Sequence, residues 1–319
     1  MTPLNLNQFR LNLTPPILLV QSVLLFVVLL FKAHAVVMRH DVNPSEYLLD
    51  TLDYQSTIHI DGCTATLIEP KWVLTAAHCI KEFYPKGTQI KINDESIAVE
   101  TTFVHPEFNP EQSELHDVAL IKLREPSYGT LPTPLYLDSD ELGKIGKIAG
   151  FGLTGNGESG ILNHCFPCEL HVADNEIAET FPYLLRVRFD APERTGSLIL
   201  EGVSGGGDSG APLYLTKNNT RYIAGVSSFG GIYYGDSDHF VRISQEMPWL
   251  SQTLGEDYSG NFDGLSYDEI SEQNTMPDDK TESGGGTVAN LMFLLLSSVF
   301  FIRRGSNYQY KQLSLFRFL

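Results

Sequence analysis

The sequence predicts an all-β protein, because its central part consists of short apolar runs without a sustained helical period. Residues 66–68, 72–74 and 118–121 are such runs, and Gly, Pro, Asn and Asp residues interrupt the chain between them. Many short strands at close spacing favour a barrel or a sandwich. The segment 243–254 is the exception, since it predicts a short C-terminal helix provided that Pro248 lies in the first turn.

The composition argues against partners that need a basic surface. The chain has 319 residues and a formal net charge of −17, which is typical neither of a nucleic-acid-binding protein nor of one that binds an anionic membrane surface. Part of the acidity is local, because residues 251–286 contain nine Asp or Glu and one Lys. Few aliphatic residues accompany them. We therefore predict an acidic flexible linker over residues 255–286.

The N-terminus has the pattern of a secretory signal peptide, predicted over residues 1–35. An apolar run at 17–31 is followed by an Ala-x-Ala triplet at 33–35, the kind of site at which signal peptidase cuts. Cleavage there leaves Val36 as the new N-terminus and predicts an exported protein. The alternative is an uncleaved N-terminal membrane anchor.

The C-terminus carries a second apolar segment at 287–304, which ends in an arginine pair. Glycines at 284–286 precede it and a tail at 305–319 follows it. The apolar part is short for a spanning helix, which needs about twenty residues, but it predicts membrane contact. The order of glycines, apolar segment and arginines resembles the GlyGly-CTERM sorting signals of Gram-negative bacteria. That resemblance implies cleavage by a rhomboid-type protease and surface display or release; the alternative is a simple anchor.

The strongest chemical signal is the loop at 205–212, which reads Gly-Gly-Gly-Asp-Ser-Gly-Ala-Pro. Glycines let the backbone approach a substrate carbonyl and turn its N–H groups toward developing oxyanion charge. Ser209 in such a loop is a candidate nucleophile. A serine hydroxyl reacts only when a base lies within hydrogen-bond reach and a third group orients that base.

A histidine and an aspartate upstream can supply these partners. His78 follows an apolar strand in Leu-Thr-Ala-Ala-His-Cys, and Asp117 begins the strand Asp-Val-Ala-Leu-Ile-Lys-Leu. Alone, either residue is more often structural. With Gly-Asp-Ser-Gly-Ala-Pro at 207–212, the order His78, Asp117, Ser209 resembles the trypsin-like serine proteases. The resemblance covers residues 36–254.

The resemblance implies both a fold and a function. The fold is two six-stranded antiparallel β-barrels, at residues 36–145 and 146–242, with a short C-terminal helix. The function is that of a secreted or surface-displayed serine endopeptidase that acts on protein or peptide substrates without a cofactor. The alternative is a catalytically silent binding protein of the same fold.

The resemblance also implies a role for each matching residue. Ser209 attacks the scissile carbonyl, His78 acts as base and then as acid, and Asp117 fixes the tautomer of His78. The N–H groups of Gly207 and Ser209 form the oxyanion hole.

Asp208 has a separate role in such proteases, because it pairs with the amine of a newly formed N-terminus. Val36 lies 27 positions before Cys63, close to the spacing in the family, and would provide this amine. We hypothesise that signal peptidase alone produces the activating N-terminus. Met38 and Arg39 stand where the family usually has glycines.

The sequence defines the primary specificity pocket less well. Val203 stands six residues before the nucleophile, where trypsins have an aspartate, and predicts an apolar pocket floor. Ser228 and Gly230 match the substrate-binding strand. Asp238 falls near the pocket wall, where a desolvated carboxylate would pair with substrate Lys or Arg. The alternative is that Asp238 or Asp236 is a solvated loop charge.

The chain has four cysteines, Cys63, Cys79, Cys165 and Cys168. The resemblance implies a disulfide between Cys63 and Cys79 beside the histidine. Cys165 and Cys168 have the spacing of a redox motif, but no second cysteine pair or metal-type cluster accompanies them. We predict a local surface-loop disulfide there and assign no metal; the alternative is a redox module.

Overall fold

The computed structural model describes five stretches of the chain: residues 36–48, 51–80, 84–111, 115–163 and 169–259. Several sequence predictions lie outside them: the signal peptide at 1–35, the linker beyond 259, the apolar segment at 287–304, the tail at 305–319, and the pair Cys165 and Cys168. Over the stretches that the structure does describe, no helix is long and apolar enough to cross a membrane.

After the short strand β1 (Val37–Met38), six strands form the first antiparallel barrel. They are β2 (Thr57–Ile60), β3 (Cys63–Glu69), β4 (Trp72–Thr75), β5 (Gln89–Ile92), β6 (Glu95–Val104) and β7 (Ala119–Leu123). The strands pair in the order β2-β3-β4-β7-β6-β5, and β2 approaches β5 at the open edge. Trp72, Leu74 and Leu120 are among the fully buried side chains that fill its core.

The second half of the chain provides nine more strands. They are β8 (Ile145–Gly150), β9 (Thr154–Asn156), β10 (Gly160–Asn163), β11 (His171–Thr180), β12 (Leu184–Arg188), β13 (Gly202–Val203), β14 (Pro212–Lys217), β15 (Thr220–Gly230) and β16 (Ser237–Arg242). Six of them close an antiparallel barrel in the order β11-β12-β16-β15-β14-β8. Phe189 and Phe240 pack in its core.

The other three strands combine with the N-terminal strand into a small four-stranded sheet. Its order is β10-β9-β1-β13, with β1 parallel to β9 and antiparallel to β13. Val37 lies opposite Val203, and Met38 lies opposite Gly202. The beginning of the described chain is therefore built into the region that precedes the glycine-rich loop.

One α-helix, α1 (Ile243–Leu254), follows β16. Ile243, Leu250 and Leu254 are buried on its inner face. The condition that Pro248 lies in the first turn is wrong, because it is the sixth helical residue. Proline lacks an N–H, so the carbonyl four residues earlier loses its helical partner, and the buried apolar face compensates for this loss. Short 3₁₀ helices span Pro44–Tyr47, Thr51–Tyr54, Ala77–Cys79 and Gly255–Asp257.

The predicted fold class is confirmed. The described chain is mostly β, with two six-stranded barrels and one short C-terminal helix. The turn after β4, the turn before β7 and the loop before β14 meet at the junction between the two barrels. There Thr64 of β3 donates its N–H to the carbonyl of Ser209 at 2.8 Å.

Candidate active site

His78 lies in a short turn directly after β4, and Asp117 holds it there. The backbone N–H of His78 donates to Asp117 Oδ1 at 2.9 Å, and His78 Nδ1 lies 2.6 Å from Asp117 Oδ2. This double contact fixes both the turn and the orientation of the ring. The side chain of His78 is 36% exposed, so the far edge of the imidazole is open to solvent.

Asp117 precedes β7 and is 2% exposed. Ser228, from β15 of the second barrel, donates its hydroxyl to Asp117 Oδ2 at 2.6 Å. The carboxylate therefore accepts three hydrogen bonds, and one of them crosses the junction between the barrels. A buried carboxylate with such partners stays well oriented for a histidine that gains positive charge during a reaction.

Ser209 is brought to the histidine turn through β3. Thr64 N–H donates to the carbonyl of Ser209 at 2.8 Å, and the adjacent residue Cys63 forms a disulfide with Cys79, the neighbour of His78. The disulfide implied by the resemblance is thus confirmed. It ties the strand that contacts the serine to the turn that carries the histidine.

The glycines of the loop are required by its conformation. Gly207 has φ +96° and Gly210 has φ +82°, which is a left-handed backbone that side chains strongly disfavour. A Cβ on Gly210 would lie 2.3 Å from the carbonyl oxygen of Thr64. The loop can therefore press against the first barrel only with glycine at this position.

Asp208 is fully buried. Gly152 N–H donates to its Oδ1 at 2.7 Å, Gly205 N–H donates to its Oδ2 at 2.8 Å, and the N–H of Val36 donates as well. Burial raises the pKa of Asp208 to about 6, although these N–H groups act in the opposite direction. Val36 is itself fully buried and has φ +72°.

The predicted pocket residues lie together on β13, β15 and β16. Val203 is fully buried in the apolar cluster of the second barrel. Asp238 on β16 lies opposite Gly230 on β15. A Cβ on Gly230 would come within 2.6 Å of Asp238 Oδ1, so glycine is what allows this carboxylate to lie against the strand.

The alternative that Asp238 is a solvated loop charge is wrong, because this residue is 1% exposed. Ser204 N–H donates to Oδ2 at 2.9 Å, and His239 N–H donates to Oδ1 at the same distance. Burial raises the pKa of Asp238 to about 7, against the effect of these donors. Asp236 is half-buried, and its carboxylate accepts the N–H of Tyr233.

Comparison with known proteins assigns the chain to a family. The family model described as Trypsin matches residues 42–250. The chain belongs to the trypsin family. It is similar to a collagenase from Hypoderma lineatum, with 29% identity over 212 residues that cover 60% of this chain and 76% of the collagenase. The resemblance to trypsin-like serine proteases is thus confirmed for the protease domain.

Sequence reasoning missed how this trypsin-family chain holds its N-terminal segment. Met38 is buried beside Val36 and Tyr47, where the family usually has small residues. Arg39 donates from Nη1 to the carbonyl of Leu198 at 2.7 Å, and its guanidinium also pairs with Asp41. The substitution of glycine by Met-Arg at 38–39 was the available signal, since it indicates a segment anchored by side chains.

Sequence reasoning also missed a buried cluster behind Asp117. It contains His105, His116 and Glu246, whose ligand-type atoms all lie within 4.8 Å of one another. The only other close group of such atoms in the described part of the chain is His78 with Cys63 and Cys79. Its cysteines form a disulfide and cannot supply thiolates. The sequence signal for the cluster of His105, His116 and Glu246 was the histidine directly before Asp117.

Proposed function

We propose that this trypsin-family chain is a serine endopeptidase that hydrolyses protein or peptide substrates through an acyl-enzyme. The observation that carries the proposal is the buried Asp117 carboxylate, which orients His78 beside the loop that bears Ser209. The chain thus has all three groups that make a serine hydroxyl nucleophilic.

We propose the following reaction for these groups. Ser209 Oγ attacks the carbonyl carbon while its proton passes to His78 Nε2, and the same proton then goes to the leaving amine. A water molecule repeats the sequence on the acyl-enzyme and releases the carboxylic acid. Asp117 stabilises the imidazolium in both halves. The N–H groups of Gly207 and Ser209 bind the oxyanion, where the loss of one donor typically costs about 10²–10³ in rate.

We further propose that signal peptidase activates the protein by cutting before Val36. A β-branched residue in the left-handed region is strained by about 1–3 kcal/mol. The angle φ exists only while a carbonyl precedes the residue, so cleavage before Val36 removes this strain. It also converts the N–H that contacts Asp208 into an ammonium group, which suits a buried carboxylate far better than an amide does.

For specificity, we propose that Asp238 selects Lys or Arg at the position before the scissile bond. Its buried carboxylate meets N–H groups from Ser204 and His239, and it forms no ion pair with a cationic side chain of the described residues. A substrate cation would satisfy that charge. Val203, the predicted apolar floor, is fully buried in the cluster of the second barrel and would lie under the stem of the same side chain.

We also propose that the protein is exported and that the segment 287–304 keeps it in contact with a membrane until a processing protease, of rhomboid type, removes it. The evidence for this is the sequence alone. Cell fractionation of the full chain and of a chain ending at residue 286 tests the proposal. Membrane association of the shortened chain, or a full chain that retains 287–304 and is not associated with the membrane, would refute it.

A fluorophosphonate probe tests the catalytic proposal, because it reacts with an activated serine and with little else. We expect the wild-type protein to be labelled and to cleave peptides, and Ser209→Ala to do neither. Ser228→Ala is the useful companion, since it removes a hydroxyl that only supports Asp117 and leaves the nucleophile. Equal peptide cleavage by wild type and Ser209→Ala would refute the mechanism.

A further inference from the structure

Three buried side chains form a cluster that includes His116, the residue directly before the aspartate of the proposed catalytic site. Glu246 Oε1 lies 2.9 Å from His116 Nδ1, and Glu246 Oε2 lies 3.3 Å from His105 Nε2. Their side chains are only 2% (Glu246), 10% (His116) and 7% (His105) exposed. One carboxylate thus bridges two imidazoles, and we call this arrangement the carboxylate clamp.

The backbone of the clamp includes the turn that presents Asp117. His116 is the preceding residue and has φ +58°, a left-handed backbone that is uncommon for residues other than glycine, although Asn, Asp and His adopt it more often than the rest. Val118 N–H donates to the carbonyl of His116 at 2.7 Å, which closes a tight turn with Asp117 at its centre. Such a backbone persists only where other contacts determine it.

The clamp supplies these contacts from several elements. The ring of His116 stacks on His105 with centroids 4.6 Å apart, and Tyr183 packs at 4.3 Å. Glu107 Oε2 lies 3.5 Å from His116 Nε2, and Trp249 packs against His105. The titratable groups that face His116 are therefore His105, Glu107, Glu246 and Tyr183.

The geometry of the clamp favours a hydrogen-bonded carboxylate over a metal centre. The two imidazole rings are nearly parallel, at 11°, and a metal ion bound in the plane of one ring would lie out of the plane of the other. His105 Nδ1 also accepts the N–H of Glu107 at 3.2 Å. Its Nε2 must then carry the ring proton, with Glu246 Oε2 3.3 Å away, and no lone pair remains for a metal.

We propose that Glu246 is a positioning residue for peptide-bond hydrolysis, because through His116 it holds the turn that aims Asp117 at His78. The proposal rests on the proposed function. Glu246 belongs to the first turn of α1, 130 residues after His116. The C-terminal helix is therefore part of the support of the proposed catalytic site.

Glu246→Gln tests the proposal, since it keeps the shape of the side chain and removes its charge. We expect kcat to fall about tenfold, because small displacements of a catalytic group have effects of this order. KM should change less than twofold. In the plot of kcat against pH, the acid limb should move to lower pH, because a displaced Asp117 carboxylate stabilises the His78 imidazolium less.

Glu141→Gln is the matched control. Glu141 is fully buried, pairs with Arg242 at 2.7 Å and accepts the hydroxyl of Ser244 in the first turn of the same helix, but it has no contact with the clamp. The Glu141→Gln variant should lower the stability of the fold as Glu246→Gln does, but kcat and the pH of the acid limb should stay as in wild type. The proposal is overturned if Glu246→Gln and Glu141→Gln have the same kinetic profile and differ from wild type only in thermal stability.

A second variant keeps the proposal testable if Glu246→Gln does not fold. His116→Asn removes the imidazole but keeps a residue that tolerates the left-handed backbone. It should reproduce the kcat loss and the shift of the acid limb, and a His116→Asn protein with the kcat of wild type would overturn the proposal. Where both single variants fold, the double variant should lose no more than either one. Independent, multiplying effects would overturn the proposal. Failure of the fluorophosphonate probe to label wild type would instead refute the proposed function, so the two failures are distinguishable.

Discussion

Two neighbouring regions of the molecule bury aspartates, but only one of them gives its aspartate an imidazole partner. At the barrel junction, Asp117 is paired with the imidazole of His78 and the hydroxyl of Ser228. In the adjoining region, Asp208 and Asp238 are equally buried but are met by backbone N–H groups and a serine. In the described chain neither of these two forms an ion pair, and burial raises their pKa values to about 6 and about 7.

The difference indicates which parts of the site are complete within the folded chain. Burying a carboxylate without a cationic partner costs free energy. We therefore expect such a carboxylate where a cation binds after the chain has folded. We infer that Asp117 has its partner from folding alone. We propose that Asp208 receives its cation from the new amine of Val36 and that Asp238 receives its cation from the substrate. Four predictions test this contrast.

Asp117→Asn should have the largest effect. An amide at this position leaves the fold in place but holds His78 in the wrong tautomer, so kcat should fall about 10⁴-fold. Steady-state kinetics on a peptide substrate measures this, and Asp236→Asn serves as the control. A loss below tenfold would mean that the contact between Asp117 and His78 is structural only.

Asp208→Asn should have the next largest effect. The neutral amide cannot hold the ammonium of Val36, and the loop that forms the oxyanion hole loses its anchor. We expect activity to fall about 10²–10³-fold, the range typical of a lost oxyanion donor. Active-site titration should show fewer competent molecules, and a full complement of them would contradict the pairing with Val36.

Asp238→Asn should change selectivity rather than the chemical step. For a substrate with Arg before the scissile bond, kcat/KM should fall about 100-fold, because the substrate cation is then buried without its partner. For a Leu substrate the change should stay within about threefold, since Val203 still provides apolar contact. Equal losses on both substrates would show that Asp238 supports the pocket without contacting the substrate cation.

The smallest effect concerns pH. The raised pKa of Asp238, about 7, means that its carboxyl is charged above this pH and protonated below it. The ratio of kcat/KM for Arg and Leu substrates should therefore fall as the pH is lowered from 8 to 6, by up to about tenfold per unit below the pKa. A ratio that stays constant over this range would contradict a pocket role for this carboxylate.

Local motifs predicted much of this molecule. Each short run around His78, Asp117 and Ser209 encodes its own strand and turn, so the fold class and the order of these residues followed from the sequence. Asp238 was left between two alternatives, because its burial depends on Gly230 in the neighbouring strand. Burial of this kind arises from strand pairing, which a local pattern does not specify.

Contacts between residues far apart in the sequence could not be predicted for the same reason. The contact between His116 and Glu246 joins residues 130 positions apart, and the pairing of Val37 with Val203 joins neighbouring strands of the small sheet that come from distant parts of the chain. Neither has a local signature beyond an unusual residue type. The position of Pro248 in α1 was also missed, because packing of the apolar helix face outweighs the lost hydrogen bond there.

The central claim is that an N-terminus at Val36 completes a site whose nucleophile is Ser209. Intact-mass measurement of the exported protein after fluorophosphonate treatment tests both halves in one spectrum. We expect every labelled molecule to begin at Val36 and to carry a single probe, which Ser209→Ala abolishes. Labelled molecules that retain residues 1–35, or that begin well beyond Val36, would contradict the account.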